Sequence, residues 1–355
     1  MNKKLIALAV AGACVAPAAM AQTANPVTLY GIAYVTLESV EAKGGAAPIP
    51  RRNRVTDQSS RIGIRGTEDL GGGMKVFFQL ETGFAIDTPQ STYATRNSGV
   101  GLQGGWGSIL AGRWDSVTKQ AMGSLDPFAD NQLGDLTAGW LRQGAFDTRP
   151  NNIIQYWSPV ISGFALKASY VANEGKTPPG TPSGVNPSQY GGSLTWTGGP
   201  VYVAYAYEKH KSFVADTVTA GVDEEGNTIG ATFQLGSLKL GAGYGEYKKT
   251  LTNKQKAYFV SGEWKFGLHS LMLTYQDSKD GGSNVLVGGV APAQPRCDVP
   301  SVGYKYYWSA RTFLIASYTR VNNKTGNLCN FGQATLAIAA DQDPQGVSLG
   351  LRTAF

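Results

Sequence analysis

The chain has little charge, little histidine and little cysteine. Only 16% of its 355 residues are Asp, Glu, Lys or Arg. An average soluble domain carries about a quarter, so the composition does not fit an ordinary cytoplasmic enzyme. The two histidines, His210 and His269, have no second ligand at metal-binding spacing. No H-E-x-x-H or C-x-x-C string occurs, so there is no local sign of metal-assisted hydrolysis. After Gln22 no apolar run reaches the roughly 20 residues of a membrane helix. The formal charge of +6 falls to +4 when Lys3 and Lys4 are set aside with the leader described below. A balance this mild, without clustered Lys and Arg, gives no case for nucleic acid as a partner.

What is present is glycine (46), tyrosine (17) and tryptophan (7). That composition suits many strands, many turns and aromatic rings to place at an interface. The start reads as an export signal. Asn2, Lys3 and Lys4 precede an apolar run from Leu5 to about Pro17, and Ala19-Met20-Ala21 is a cleavage pattern. Residues 1–21 are the expected signal peptide and 22–355 the mature domain. A membrane anchor would need a longer run. A lipoprotein box at Cys14 would lie inside the apolar stretch, upstream of the better cleavage site.

Through the mature chain, side chains alternate with a period of two. Phe164, Leu166, Ala168 and Tyr170 share one face, and Ala165, Lys167 and Ser169 the other. Between Tyr258 and Phe266 the polar face carries Glu263 and Lys265. Ionised groups in mid-strand fit a water-filled lumen. Aromatic residues crowd strand ends, as at Tyr156-Trp157 and Tyr304 to Trp308, and short connections alternate with long ones. Sixteen strands are expected, from about 27–40 and 53–66 to 345–355. An even number lets the last strand pair with the first and leave no open edge. The final segment puts Val347, Leu349, Leu351 and Phe355 on one face and ends on an aromatic ring. The fold class is therefore all-β, a sixteen-stranded antiparallel transmembrane β-barrel. The terminal Phe355 is similar to the signal that the barrel-assembly machinery reads in bacterial outer-membrane proteins.

A family resemblance rests on Val27-Thr28-Leu29-Tyr30-Gly31, the block from Ser59 to Lys75 (SSRIGIRGTEDLGGGMK), Phe78 to Glu81, Leu110 to Arg113, Asn152 to Tyr156 with Ser158-Pro159, and the Phe355 end. The chain resembles the trimeric general porins of Gram-negative β-proteobacteria, of the Neisseria, Bordetella and Comamonas type. The resemblance implies a homotrimer and a third long loop, about 117–148, folded into each lumen. It also places the basic cluster of the pore at Arg61, Arg96 and Arg149. Alternation adds Arg65, which shares a face with Arg61 opposite Ile62 and Ile64. An arginine in lipid at mid-depth would cost about 2–4 kcal/mol, so both should face water. Arg113 fits either face.

The expected work is passive diffusion of small hydrophilic solutes and ions through the outer membrane, with a weak anion preference and no cofactor. Asp126, Asp130 and Asp135 on the inner loop, with Asp147, would face the wall arginines across the constriction. Partners would be the outer-membrane lipids and lipopolysaccharide, and the assembly machinery during biogenesis. Alternatives stay open: a substrate-specific channel with Tyr202, Tyr247 or Phe259 as a stacking track, a surface adhesin, or an outer-membrane hydrolase. Cys297 and Cys329, in neighbouring late loops of an exported chain, are either a disulfide or two free thiols.

Overall fold

The computed structural model describes residues 27–88, 93–129, 133–140, 146–172, 187–214, 222–249, 254–279, 296–332 and 335–355. The leader at 1–21, and Asp130 and Arg142 of the third loop, lie outside the described residues.

Strand β1 is Thr28–Gly44, and β2 runs in two stretches, Ile49–Asp57 and Arg61–Gly71. Then follow β3 (Met74–Gly83), β4 (Ser98–Gly104), β5 (Gly107–Arg113), β6 (Ile153–Trp157), β7 (Phe164–Val171) and β8 (Ser188–Gly198). The second half holds β9 (Val201–Val214), β10 (Val222–Leu235), β11 (Leu238–Lys249), β12 (Gln255–Phe266) and β13 (His269–Lys279). It ends with β14 (Cys297–Tyr307), β15 (Thr312–Arg320, resuming at Asn322–Asn323) and β16 (Gln342–Ala354). Each strand pairs antiparallel with its neighbours in the chain. β16 then returns to β1, from Ile32 opposite Ala354 to Gly44 opposite Gln342. The wall is thus a closed barrel of sixteen strands, with every edge paired.

Alternation dictates the two faces. Leu37, Ile62, Ile64, Leu80, Val100, Ile229, Leu273 and Leu349 project outward and are exposed, whereas Thr36, Gln155, Gln276 and Ser348 turn inward. This is the inverse of a soluble protein and suits lipid outside and water inside. At one end the strands are joined by tight turns. Gly199, Gly236 and Gly267 each open such a turn at positive φ, which glycine reaches without steric cost. The opposite end carries the long connections.

One irregularity decides the pore wall. Asp57 pairs with Val35, but Arg61 pairs with Ile32. Three residues, 58–60, therefore stand against two on β1, which is a bulge of one residue. Ser59 takes φ +58, and Gln58 N and Ser60 Oγ both bond to Tyr34 O, at 2.9 and 3.2 Å. Because the side-chain period is two, one extra residue swaps faces for all that follows. The bulge puts Ile62 and Ile64 toward lipid and Arg61 and Arg65 toward the lumen.

Candidate functional site

The connection from β5 to β6 turns into the barrel. Ser116 starts it: its Oγ accepts from Lys119 N at 3.2 Å and opens a one-and-a-half-turn helix, α1 (Val117–Met122). Ser116 also ties the two stems together, through N to Thr148 O (3.0 Å) and Oγ to Phe146 O (2.9 Å). The loop then buries Leu125, Phe128, Leu133, Leu136, Trp140 and Phe146 against the inner wall. Two glycines make this close approach possible. A Cβ at Gly230 would stand 2.2 Å from Leu125 Cδ2, and one at Gly303 2.5 Å from the Phe128 ring.

Polar anchors complete the seat. Glu208 Oε1 accepts from Thr118 N at 2.8 Å. Lys239 and Lys305 donate to Ser124 O (2.7 Å) and Pro127 O (2.9 Å), and Lys167 donates to Gln120 Oε1 (2.6 Å). Tyr202, Tyr247 and Phe259 do point inward, but into this seat. Tyr202 donates to Ala121 O at 2.6 Å, Tyr247 stacks on Phe146 at 5.4 Å, and Phe259 lies 4.3 Å from Trp140. They fasten the loop, so the stacking track suggested by alternation is not formed by these three.

The contacts above lie on β7 to β14, and the arginines stand on another arc. Arg61 and Arg65 come from β2, Arg96 from the approach to β4, Arg113 from the end of β5 and Arg149 from the approach to β6. Arg96 Nε meets Glu81 Oε1 at 2.6 Å, and Tyr30 donates to Glu81 Oε2 at 3.0 Å. The Arg65 guanidinium lies 5.1 Å from the Tyr30 ring centre. Arg61 donates to Ser59 O at 3.3 Å. Arg149 pairs with Asp115 at 2.8 Å and donates to Asn97 Oδ1 at 2.6 Å, while Asn97 donates to Asp115 Oδ2 at 2.8 Å. Arg113 donates to Thr95 O at 2.9 Å and to Asn151. These five guanidinium groups thus stand near two carboxylates, Glu81 and Asp115, and a further ion pair, Arg54 with Glu38 at 2.7 Å, lies beside them on β2 and β1.

The loop aspartates are placed differently from the sequence expectation. Asp126 accepts from Phe128 N (2.8 Å) and Leu136 N (3.0 Å), and Asp135 accepts from Thr137 N (2.7 Å). They hold the loop's own backbone, a local preference of a short carboxylate. Burial raises the Asp126 carboxyl well above the usual carboxylate range, helped by the charge of Asp135. Burial raises Asp135 as well, with Asp147 adding to it. Asp147 itself pairs with Lys119 at 2.6 Å. The carboxylates that meet Arg96 and Arg149 are Glu81 and Asp115. Glu81 was findable, because it lies on the inward parity of β3, opposite Gly63. Asp115 lies past the end of its strand, where alternation gives no guide.

Cys297 and Cys329 form a disulfide with their Cα atoms 6.3 Å apart. It lies in an apolar cluster with Val299, Phe331, Leu336 and Leu133, so it packs against the third loop.

A family model for Gram-negative porins matches residues 7–326. The chain belongs to the Gram-negative porin family. Outer membrane porin protein 32 of Delftia acidovorans is 30% identical over the whole of both chains. The major outer membrane protein P.IB of Neisseria lactamica is 26% identical, over 89% of this chain and 92% of its own length. The solved anion-selective porin from Comamonas acidovorans superposes with a TM-score of 0.78 at 27% identity, over 93% of this porin and all of that chain. This porin is an outer-membrane diffusion channel.

Proposed function

We propose that the channel passes small hydrophilic solutes and ions with a preference for anions, through a constriction between the seated third loop and the arginine arc. The carrying observation is the imbalance on that arc: Arg61, Arg65, Arg96 and Arg149 stand on it against Glu81 and Asp115. A ring of one sign in a narrow polar passage lowers the barrier for the opposite charge. The anion-selective porin from Comamonas acidovorans offers a precedent. No step of this work is enzymatic.

Asp126 and Asp135 act here as staples of the loop, and the expected transverse field runs instead within the wall, between the arginines and their two carboxylates. The protein works as a homotrimer. On β1 to β4, among the described residues, no Tyr or Trp faces outward, whereas Tyr190, Tyr205, Tyr244, Tyr275, Tyr304 and Tyr318 ring the rest. An aromatic belt marks lipid contact, and its interruption fits a subunit contact. Residues 1–21 direct export and are removed, Phe355 serves the assembly machinery, and lipopolysaccharide surrounds the outer rim.

Planar-bilayer recording in a salt gradient tests the reading. The zero-current potential should report anion preference, and Arg61→Glu or Arg96→Glu should move it toward cations. An unchanged potential in both variants would remove the arginine arc from the constriction.

A further inference from the structure

The outer rim above β11 to β15 has a pairing that its own stability does not explain. Lys256 of β12 and Lys279 of β13 are directly opposite each other, and both are exposed on the outward face. Like charges in that position repel. Glu246 of β11 stands opposite Lys256, but it and the other nearby carboxylates are each already bonded to a different group. Glu246 pairs with Lys254 at 2.5 Å, Asp277 accepts from Tyr258 at 2.5 Å, and Asp298 pairs with Lys324 at 2.7 Å. Lys279 lies 5.4 Å from the Tyr258 ring centre and so is held at the rim.

Below these lysines the outer wall is not smooth. A groove of 420 Å³ runs between Val260, Gly262, Leu273, Tyr275, Val302 and Tyr318. Gly262 leaves its floor open, since a Cβ there would meet nothing nearer than Leu240 at 3.8 Å. Val260 and Tyr275 each lie four residues from the lysine on their own strand, a separation of about 13 Å at strand rise. Two exposed cations, facing each other across a strand pair, thus stand one headgroup above an apolar slot on a lipid-facing wall.

We propose that this surface docks one molecule of a phosphorylated glycolipid, the diphosphorylated lipid A portion of lipopolysaccharide. Its phosphates sit between Lys256 and Lys279, and an acyl chain lies in the groove beside Gly262. The phosphates relieve the lysine pair's repulsion, and the groove selects a lipid that bears both parts. This deepens the outer-membrane placement proposed above and is independent of which ions the pore prefers.

The test uses the full-length trimer in detergent and native mass spectrometry. The probes are diphosphoryl lipid A, monophosphoryl lipid A and phosphatidylglycerol, each in mixed micelles. The wild type should retain diphosphoryl lipid A best. Lys256→Gln with Lys279→Gln should weaken that retention about thirtyfold, at the usual contribution of a basic residue beside an anionic lipid. Gly262→Leu, which fills the groove, should weaken it about tenfold while leaving its salt dependence intact. Single-channel conductance and ion preference should match the wild type in both variants, showing folded pores. Unchanged retention in both variants, or equal retention of phosphatidylglycerol, would overturn the site. Wild-type protein that retains lipid A but does not conduct would count against the channel reading alone.

Discussion

Glu81 holds two wall groups at once. One oxygen meets Arg96 and the other accepts from Tyr30, whose ring in turn lies beside Arg65. It therefore orders the arc and also subtracts from its charge. In Glu81→Gln the anion-to-cation permeability ratio should rise about fivefold, the effect of roughly 1 kcal/mol between charges in a largely aqueous passage. Heat stability should fall, because Arg96 loses its ion partner in a partly buried position, at a cost of about 1–3 kcal/mol. Reversal potential and thermal unfolding of the same preparation check both. A fall in anion preference would mean that Glu81 acts by posture rather than by charge. Asp126 gives a second prediction. Its folded carboxyl titrates above the unfolded one, so the seated loop binds protons that the released loop does not. The seat should gain stability as pH falls through that raised value and lose it as pH rises above it. Proteolytic nicking of the loop should be slower at pH 5 than at pH 7.5, and Asp126→Asn should flatten the difference. The arginines were legible because an arginine in a β-barrel wall has to face water. The aspartates misled because a loop has no periodicity to say which way a side chain turns.

At the scale of elements, the strands were legible and their exceptions were not. Alternating faces such as Phe164 to Tyr170 and the short glycine turns locate the sixteen strands, since each depends only on residues close in sequence. The bulge at 58–60 depends on what β1 places opposite. The seats for the third loop depend on Gly230 and Gly303, more than a hundred residues away from Leu125 and Phe128 in the chain. Nothing local marks either. The bulge also carries the clearest structural prediction. Deleting Ser59 would leave two residues against two, so β2 would pair without a bulge while Arg61 stayed opposite Ile32 on the lumen side. The variant should therefore assemble into bilayers and keep its anion preference. A deletion variant that fails to assemble would show that the bulge itself, and not only the register it sets, is needed for β2 to pair. Insertion into vesicles, followed by protease protection, reads the outcome.

For the whole molecule, closure and association use different parts of the wall. Closure is complete within one chain: β16 pairs with β1 over its length, and Phe355 exchanges two 3.1 Å backbone bonds with Gly31. The monomer has no open edge, so a barrel can exist without its neighbours. We propose association through the arc where the belt of Tyr is missing, from β1 to β4. Leu80 and Val100 are exposed there on the outward face, on adjacent strands. If that arc faces a second copy, Leu80→Trp with Val100→Trp should overpack the contact by about 1–3 kcal/mol in each copy and release monomers. If it faces lipid, the same rings are harmless, because tryptophan is welcome at a membrane surface. Leu271→Trp on β13, inside the belted arc, is the control. Light scattering in detergent should give monomers for the double variant and trimers for the control and the wild type. Each monomer should still conduct, in single rather than triple steps, because its barrel and its seated loop are made from one chain. Trimers from the double variant would move the subunit contact to another face.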